Sequence, residues 1–309
     1  MAHVIPDSFD FSAYMRETDA SAKVRKASAF TDDLMERFHP TVPKKRHAAM
    51  HSTKLRDRIE FRPGEVTAWA GYNGHRKSLF TGQVALDLCT QGERVLMASF
   101  EMSPADSLAR MARQCFGLAR PAAPSIENFG RWTDGRLWLF DHVGRISPDQ
   151  IIAVVRYFSE ELKGTQVVID SMMMVCKSEE HLDEQKQFAT DVVRAAQEYG
   201  VHIHLVTHCR KPQAGEEKPP TKYDLRGSAA ISDQAHNVIT IWANKAKVAA
   251  LERNPHDMQA ADEPDARVCV EKQRNGAWEG AVKLWFCESS LRFTDRRAAP
   301  VEPYVLEAA

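Results

Sequence analysis

The chain has 309 residues, room for one α/β domain of about 240 residues plus an arm, and too few for two full domains of that kind. A formal net charge of −1 carries no global nucleic-acid signature, so binding to an acidic polymer must come from local basic patches. Six cysteines without a C-x-x-C pair, a start without an apolar signal core and no run of about 18 apolar residues point to a reduced, cytosolic chain that does not enter a membrane.

Residues 1–55 are polar, basic in patches and poor in strand pattern, and read as an arm rather than a core. One amphipathic helix is predicted at Thr31–Phe38, capped by Thr31 or Asp32, with Leu34, Met35 and Phe38 on one face and a stop at His39-Pro40. From Phe61 on, strand-like runs alternate with helical patterns. They are Glu65–Ala70 with a helix over 77–90, Arg94–Ser99 with 104–116, Leu137–Asp141 with 148–162, and Gln166–Ile169 with 183–199. Strands then follow at Val201–Thr207, Asn237–Ala243, Val268–Lys272 and Ala281–Cys287. This alternation predicts an α/β fold, a mostly parallel sheet flanked by helices, with a C-terminal antiparallel hairpin turning at Asn275-Gly276. The polar intervals 209–224 and 245–266 read as loops, and 296–309 as a tail.

The stretch Val66-Thr-Ala-Trp-Ala-Gly71-Tyr-Asn-Gly-His-Arg-Lys77-Ser78 has the order of a strand, a phosphate-binding loop and a helix start. Unpaired N–H groups and the positive end of the helix dipole attract an anion there. The loop residues Gly71, Asn73, Gly74, His75 and Arg76 would cradle the phosphates, Lys77 would reach the β/γ-phosphates, and Ser78 would hold Mg²⁺. Arg76 stands where the phosphate-loop pattern has its second glycine; if that position needs φ > 0, a side chain costs about 1–2 kcal/mol, unless Gly74 takes the tight turn. A chance match in a surface loop is the bland alternative, and the strand before and the apolar helix after weigh against it.

Two further strands end in acids. Val167-Val-Ile-Asp170 places Asp170 where a carboxylate holds Mg²⁺ through water, although a strand-end acid alone is often only a cap. Val95–Phe100 leads to Glu101 at the carboxyl end of the sheet, where a general base or a dipole-pairing acid could sit. The 208–226 loop carries Arg210, Lys211, Lys218, Lys222 and Arg226, suited to phosphates of a single strand, with Glu216 and Glu217 diluting the charge. His202 and His204 share a strand face but lack a third ligand nearby, so they read as buried histidines, and Met172, Met173 and Met174 as packing.

Three segments carry a resemblance. Phe100-Glu-Met-Ser-Pro-Ala-Asp-Ser-Leu-Ala-Arg-Met111 is similar to a segment of DnaB-type replicative helicases, and Glu271-Lys-Gln-Arg-Asn-Gly276 to their KQRNG hairpin. Asp224-Leu-Arg-Gly-Ser228 resembles a segment of the phage primase-helicases and their mitochondrial relative Twinkle. After that segment the phage enzymes continue to an Arg-Gln pair, whereas Ser232 and Asp233 stand here.

The resemblance covers residues 56–295 and implies a RecA-like P-loop NTPase, an ATP-dependent replicative helicase motor using ATP and Mg²⁺ on single-stranded DNA. It further implies Glu101 as catalytic base, His208 as γ-phosphate sensor, and Lys272 with the arginine finger Arg274 acting on a neighbouring subunit's nucleotide. A homo-oligomer follows, a hexameric ring in this family, in the cytoplasm of a bacterial host, with a separate primase or loader as further partner. The helix at 31–38 would link subunits. A RecA/RadA-type recombinase and a weakened nucleotide- and DNA-binding accessory module are the alternatives.

Overall fold

Runs such as Val66–Ala70 and Asn237–Ala243 are buried at every position, which only a strand covered on both faces permits. The computed structural model describes residues 3–6, 26–39, 46–176, 181–211, 218–227 and 229–306; Glu216, Glu217 and Ser228 lie outside them. In chain order the elements are β1 (His3–Pro6), α1 (Thr31–Phe38), β2 (Val66–Ala70), α2 (Lys77–Thr90), β3 (Val95–Ser99), α3 (Pro104–Phe116), α4 (Ala123–Thr133), β4 (Leu137–Asp141), α5 (Pro148–Glu160), β5 (Gln166–Asp170), α6 (Met172–Val175), α7 (Leu182–Tyr199), β6 (His202–Val206), α8 (Ala230–Gln234), β7 (Asn237–Ala243), α9 (Lys245–Arg253), α10 (Met258–Asp262), β8 (Ala266–Gln273), β9 (Gly280–Cys287) and β10 (Arg292–Thr294).

The strands form one sheet in the order β1-β4-β3-β5-β6-β2-β7-β8-β9-β10. From β1 to β7 every pairing is parallel, and β7, β8, β9 and β10 pair antiparallel. The architecture is the RecA-like α/β fold expected, with the hairpin β8–β9 at the predicted turn. Alternate residues of the parallel strands feed two cores. Phe158, Phe188 and Val192 of α5 and α7 pack on one face, and Phe80, Leu86 and Met111 of α2 and α3 on the other.

Local signals set the helix ends. Ser103 caps α3, its hydroxyl accepting from the Asp106 N–H at 3.1 Å, and Pro104 occupies the first turn. The helix stops at Gly117, φ 69°, where a Cβ would also lie 2.6 Å from the Val301 carbonyl. The chain beyond β10 thus packs along α3 and α2. Tyr304 is buried, and its hydroxyl donates to Asp87 of α2, which also accepts from the His51 N–H at 2.9 Å.

Several expectations need correction. The interval 245–266 holds α9 and α10, and α4 was not foreseen. Neither were β1, which extends the sheet beside β4, and the short β10. Met50 and Leu55, within the span read as an arm, are buried in the second core. Helix α1 forms where predicted, but neither Thr31 nor Asp32 caps it: its N-cap is Phe30, and the Thr31 hydroxyl donates backward to the Ser28 carbonyl at 2.8 Å. Its apolar face is bare, with Phe38 73% exposed. All six cysteines are free thiols. No helix among the described residues is long and apolar enough to cross a membrane.

Candidate active site

Three parallel strands, β5, β6 and β2, end side by side and deliver their last residues to one edge. After β2 the chain turns through Gly71 into a loop that ends at the first residue of α2. Gly71 cannot be larger, since a Cβ there would lie 2.5 Å from the Ile241 carbonyl. Gly74 and Arg76 both adopt left-handed backbone, at φ 74° and 63°. The loop therefore uses Gly74 for its turn and still demands φ > 0 at the non-glycine Arg76, at a cost of about 1–2 kcal/mol.

Arg76 points away from the loop interior. Its guanidinium lies 3.9 Å from the centre of the Phe286 ring and 2.7 Å from Glu288 Oε1, a cation–π contact and an ion pair that tie the loop to β9 and the turn after it. Arg113 holds the same turn from α3 by donating to the carbonyls of Glu288 and Ser289.

Lys77 is buried, and its ammonium donates to the carbonyls of Gly71 at 3.1 Å and Tyr72 at 3.0 Å. Burial lowers its pKa, opposed by the nearby Asp170, Cys209 and Glu101. Its third neighbour is His208 Nδ1 at 3.4 Å. An ammonium has only protons to give, so Nδ1 accepts and the His208 proton resides on Nε2, 4.0 Å from Glu101 Oε1. Glu101 is exposed at the end of β3 and accepts from the Ser171 hydroxyl at 3.0 Å.

Asp170, buried at the end of β5, has its pKa pushed up to about 6 by burial, with the Ser78 hydroxyl bond opposing and Glu101 adding to the rise. Ser78, Asp170, Ser99 and Ser107 line a cavity of about 20 Å³, roughly one water in size, and the Ser107 hydroxyl is buried there without a partner among the described residues. Hydroxyl and carboxylate oxygens are the hard donors that Mg²⁺ takes, so this corner suits that ion. The Lys77 ammonium, resting on two carbonyls at the loop, suits a ligand with anionic oxygens.

His75 is buried beside the loop. Its Nδ1 accepts from the Ala243 N–H at 3.0 Å, and burial, with Lys245, Lys77 and Arg76 nearby, pushes its pKa down to about 4. Asn73 is exposed at the loop tip.

The predicted residues thus divide into three groups. Lys77, Ser78, Glu101, Asp170 and His208 come together. Lys211 and Arg226 line a cavity of about 420 Å³ that also includes His208, Asn73 and His75, and the Arg210 N–H donates to the Asp224 carbonyl. Lys218 is exposed, and Lys222 is drawn toward β8, its ammonium 3.4 Å from the Glu271 carbonyl. Lys272 and Arg274 stand elsewhere in the chain. Their side chains share one side, as predicted, and converge on the end of α8, donating to the carbonyls of Ser232 and Asp233 at 2.8–3.1 Å.

Sequence reasoning missed Ser171, Tyr72, Trp242 and Lys245. Ser171 was visible as the residue directly after the strand-end acid. The other three carried no local pattern and are assembled by the sheet. The histidines read as structural are so: His202 and His204 are buried, with every ring nitrogen engaged, by Arg62 O, Thr67 Oγ1, Trp69 Nε1 and Gln166 Oε1.

Comparison with known proteins places the fold. A solved ATPase domain is 16% identical, with a TM-score of 0.68 over 88% of this chain and 99% of its own length. A DnaB-like replicative helicase, solved in a study of its interactions with primase, is 16% identical with a TM-score of 0.71, over 87% of this chain and 68% of its own. At that identity the two establish a shared fold. The family model for the DnaB-like helicase C-terminal domain matches residues 56–295, well over half of the chain, and the chain belongs to that family.

Proposed function

We propose that the chain is an ATP-driven replicative DNA helicase motor of phage or prophage type, translocating on single-stranded DNA and hydrolysing nucleotide at subunit interfaces. The observation that carries this reading is the convergence of Lys77, Ser78, Glu101, Asp170 and His208 at adjoining strand ends within a family of helicase domains. Triphosphate oxygens replace the Gly71 and Tyr72 carbonyls as acceptors for Lys77. Ser78 and Asp170 would hold Mg²⁺, which would neutralise charge on the phosphate oxygens.

Glu101 takes a proton from water as that water's oxygen bonds to the γ-phosphorus; the bond to the β–γ bridging oxygen breaks, giving ADP and phosphate. His208, between Lys77 and Glu101, registers whether the γ-phosphate is present. Lys272 and Arg274 serve a neighbour's nucleotide. Their shared perch on α8 holds the two cations together, and releasing them from backbone carbonyls costs little compared with what a phosphoryl group offers. Arg210, Lys211, Lys218, Lys222 and Arg226 contact strand phosphates without reading sequence.

The division of labour is an arm at 1–55 whose α1 straps the adjacent subunit of a hexameric ring, a motor at 56–295, and a tail at 296–309. A separate primase or loader completes the machinery in the host cytoplasm.

Steady-state ATP hydrolysis with and without single-stranded DNA tests this reading, with stimulation by DNA expected. Binding of ATP without turnover would assign the accessory-module role, and strand exchange without unwinding would assign the recombinase class. Subunits carrying Arg274→Ala should poison mixed rings more than in proportion, because a finger acting in trans is worth about 10³–10⁵ in rate. Strictly proportional activity would count against a shared site.

A further inference from the structure

The cavity of about 420 Å³ lies between the phosphate loop, the basic segment after β6 and the end of β7. Its volume is within the range of small-ligand sites. It includes none of Gly74, Lys77 or Ser78 but shares Asn73, His75 and His208 with the proposed catalytic site, so it adjoins the cradle that the proposed catalysis uses without coinciding with it.

Its lining has two characters. Tyr72, His75 and Trp242 supply aromatic walls, and Lys211, Arg226 and Lys245 supply positive charge, with no carboxylate among the described lining residues. Lys245 opens α9 and is exposed, with no ion pair or hydrogen bond to another described residue. Its ammonium stands 3.6 Å from where a Cβ on Gly74 would lie. His75 is 7% exposed, and with Nδ1 accepting from Ala243 its proton is on Nε2, a donor that finds no partner among the described residues. Trp242 is nearly as buried, at 8%. A strongly hydrated cation would meet repulsion here, and an aliphatic ligand would leave the Lys245 ammonium and the His75 donor unmatched. Aromatic faces beside phosphate-binding cations match a planar base joined to a phosphate.

We propose that this cavity is a second site, binding one nucleotide unit with its base against Trp242 and Tyr72 and its phosphate on Lys245, Lys211 and Arg226. The unit comes either from a free nucleoside monophosphate or from the DNA strand of the proposed motor, and in the second case the site sets the strand against the phosphate loop itself.

The test uses the full chain carrying Lys77→Ala, which empties the phosphate cradle, with fluorescent adenosine monophosphate and labelled oligothymidylate as separate probes read by anisotropy. At least one probe should bind, and both Lys245→Glu, a change at an exposed helix start, and Trp242→Leu should weaken it by about five- to a hundredfold, the range expected for a lost stacking or charge contact. Binding of the mononucleotide alone assigns a free ligand, and of the oligonucleotide alone, the strand. Mutual competition assigns a site open to both. Binding of neither probe, or binding that Lys245→Glu leaves unchanged, overturns the proposal. The motor reading rests on separate data, ATP turnover by the unmutated chain, so either can fail while the other stands.

Discussion

Strand β6 joins two polar clusters that differ in what they leave open. Along the strand, His202 and His204 sit in a closed circuit. The Trp69 indole donates to His204 Nδ1, leaving His204 Nε2–H for the Gln166 side-chain Oε1, and His202 donates to the Arg62 carbonyl while accepting from the Thr67 hydroxyl. Burial pushes both pKa values down, that of His202 to about 3, so both rings stay neutral. Just past the strand, His208 sits in a chain that is only half closed. Lys77 leans on backbone carbonyls, Glu101 is exposed, and Asp170 is a buried acid held partly protonated near pH 6. A buried polar group costs stability unless it is paired, and on the proposed function the nucleotide and its cation complete the pairing of the second cluster.

The sharpest test of that contrast is Glu101→Gln. It should lower ATP turnover by about 10²–10⁴ while nucleotide affinity and thermal stability stay near wild type, because the amide keeps the shape and loses the base. Parallel loss of binding and turnover would move Glu101 into the structural class. The reverse pattern is expected for His204→Leu, which leaves the Trp69 N–H and the Gln166 side-chain Oε1 unpaired in the core. Urea melts should show a loss of about 2–4 kcal/mol, with ATP affinity unchanged in the remaining folded protein.

Asp170→Asn separates the clusters by sign. Because burial raises the folded-state pKa from 3.8 to about 6, the folded chain holds this proton more tightly than the unfolded one, and the carboxylate costs stability increasingly as pH rises from about 4 to 6. The variant should therefore be more stable than wild type above pH 6, by at most about 3 kcal/mol, and equal to it below pH 4, in melts with chelator present. A stability loss at pH 8 would mean that Asp170 is paired like the closed circuit. The smallest effect belongs to Arg76→Gly, since relief of left-handed strain roughly offsets the lost Glu288 ion pair and Phe286 contact. Stability should shift by less than about 1 kcal/mol and ATP affinity only modestly. Nucleotide binding seen in the glycine variant alone would make Arg76 a disabling residue.

Much of this was legible in the residues. Strands β4 and β7 and helix α3 run as their apolar periods predicted, because buried runs bounded by Ser-Pro and Gly signals leave few alternatives. Helices α9 and α10 escaped notice because Lys245–Arg253 and Met258–Asp262 are short and mostly Ala and charge, with no apolar stripe to set a period. Their caps, Asn244 and Asp257, were the available signal, each side chain accepting from an N–H three residues on. The residues of the loop between β2 and α2 announced themselves by spacing. The resting partners of Lys272 and Arg274 could not, since α8 lies about 40 residues away and meets them only once β7 and β8 pair.

Helix α2 is pinned at both ends. Near its far end Asp87 receives the Tyr304 hydroxyl from the segment after β10 and the His51 N–H from the segment before β2, while its first residue is Lys77, which the proposed function gives to phosphate. Ten residues of helix, about 15 Å, separate the two points. On the proposed function, a post anchored in this way would resist sliding when a triphosphate binds. Force at the loop would then pass sideways, into the Arg76 contacts with Glu288 and Phe286 and the strand ends, rather than along the helix axis.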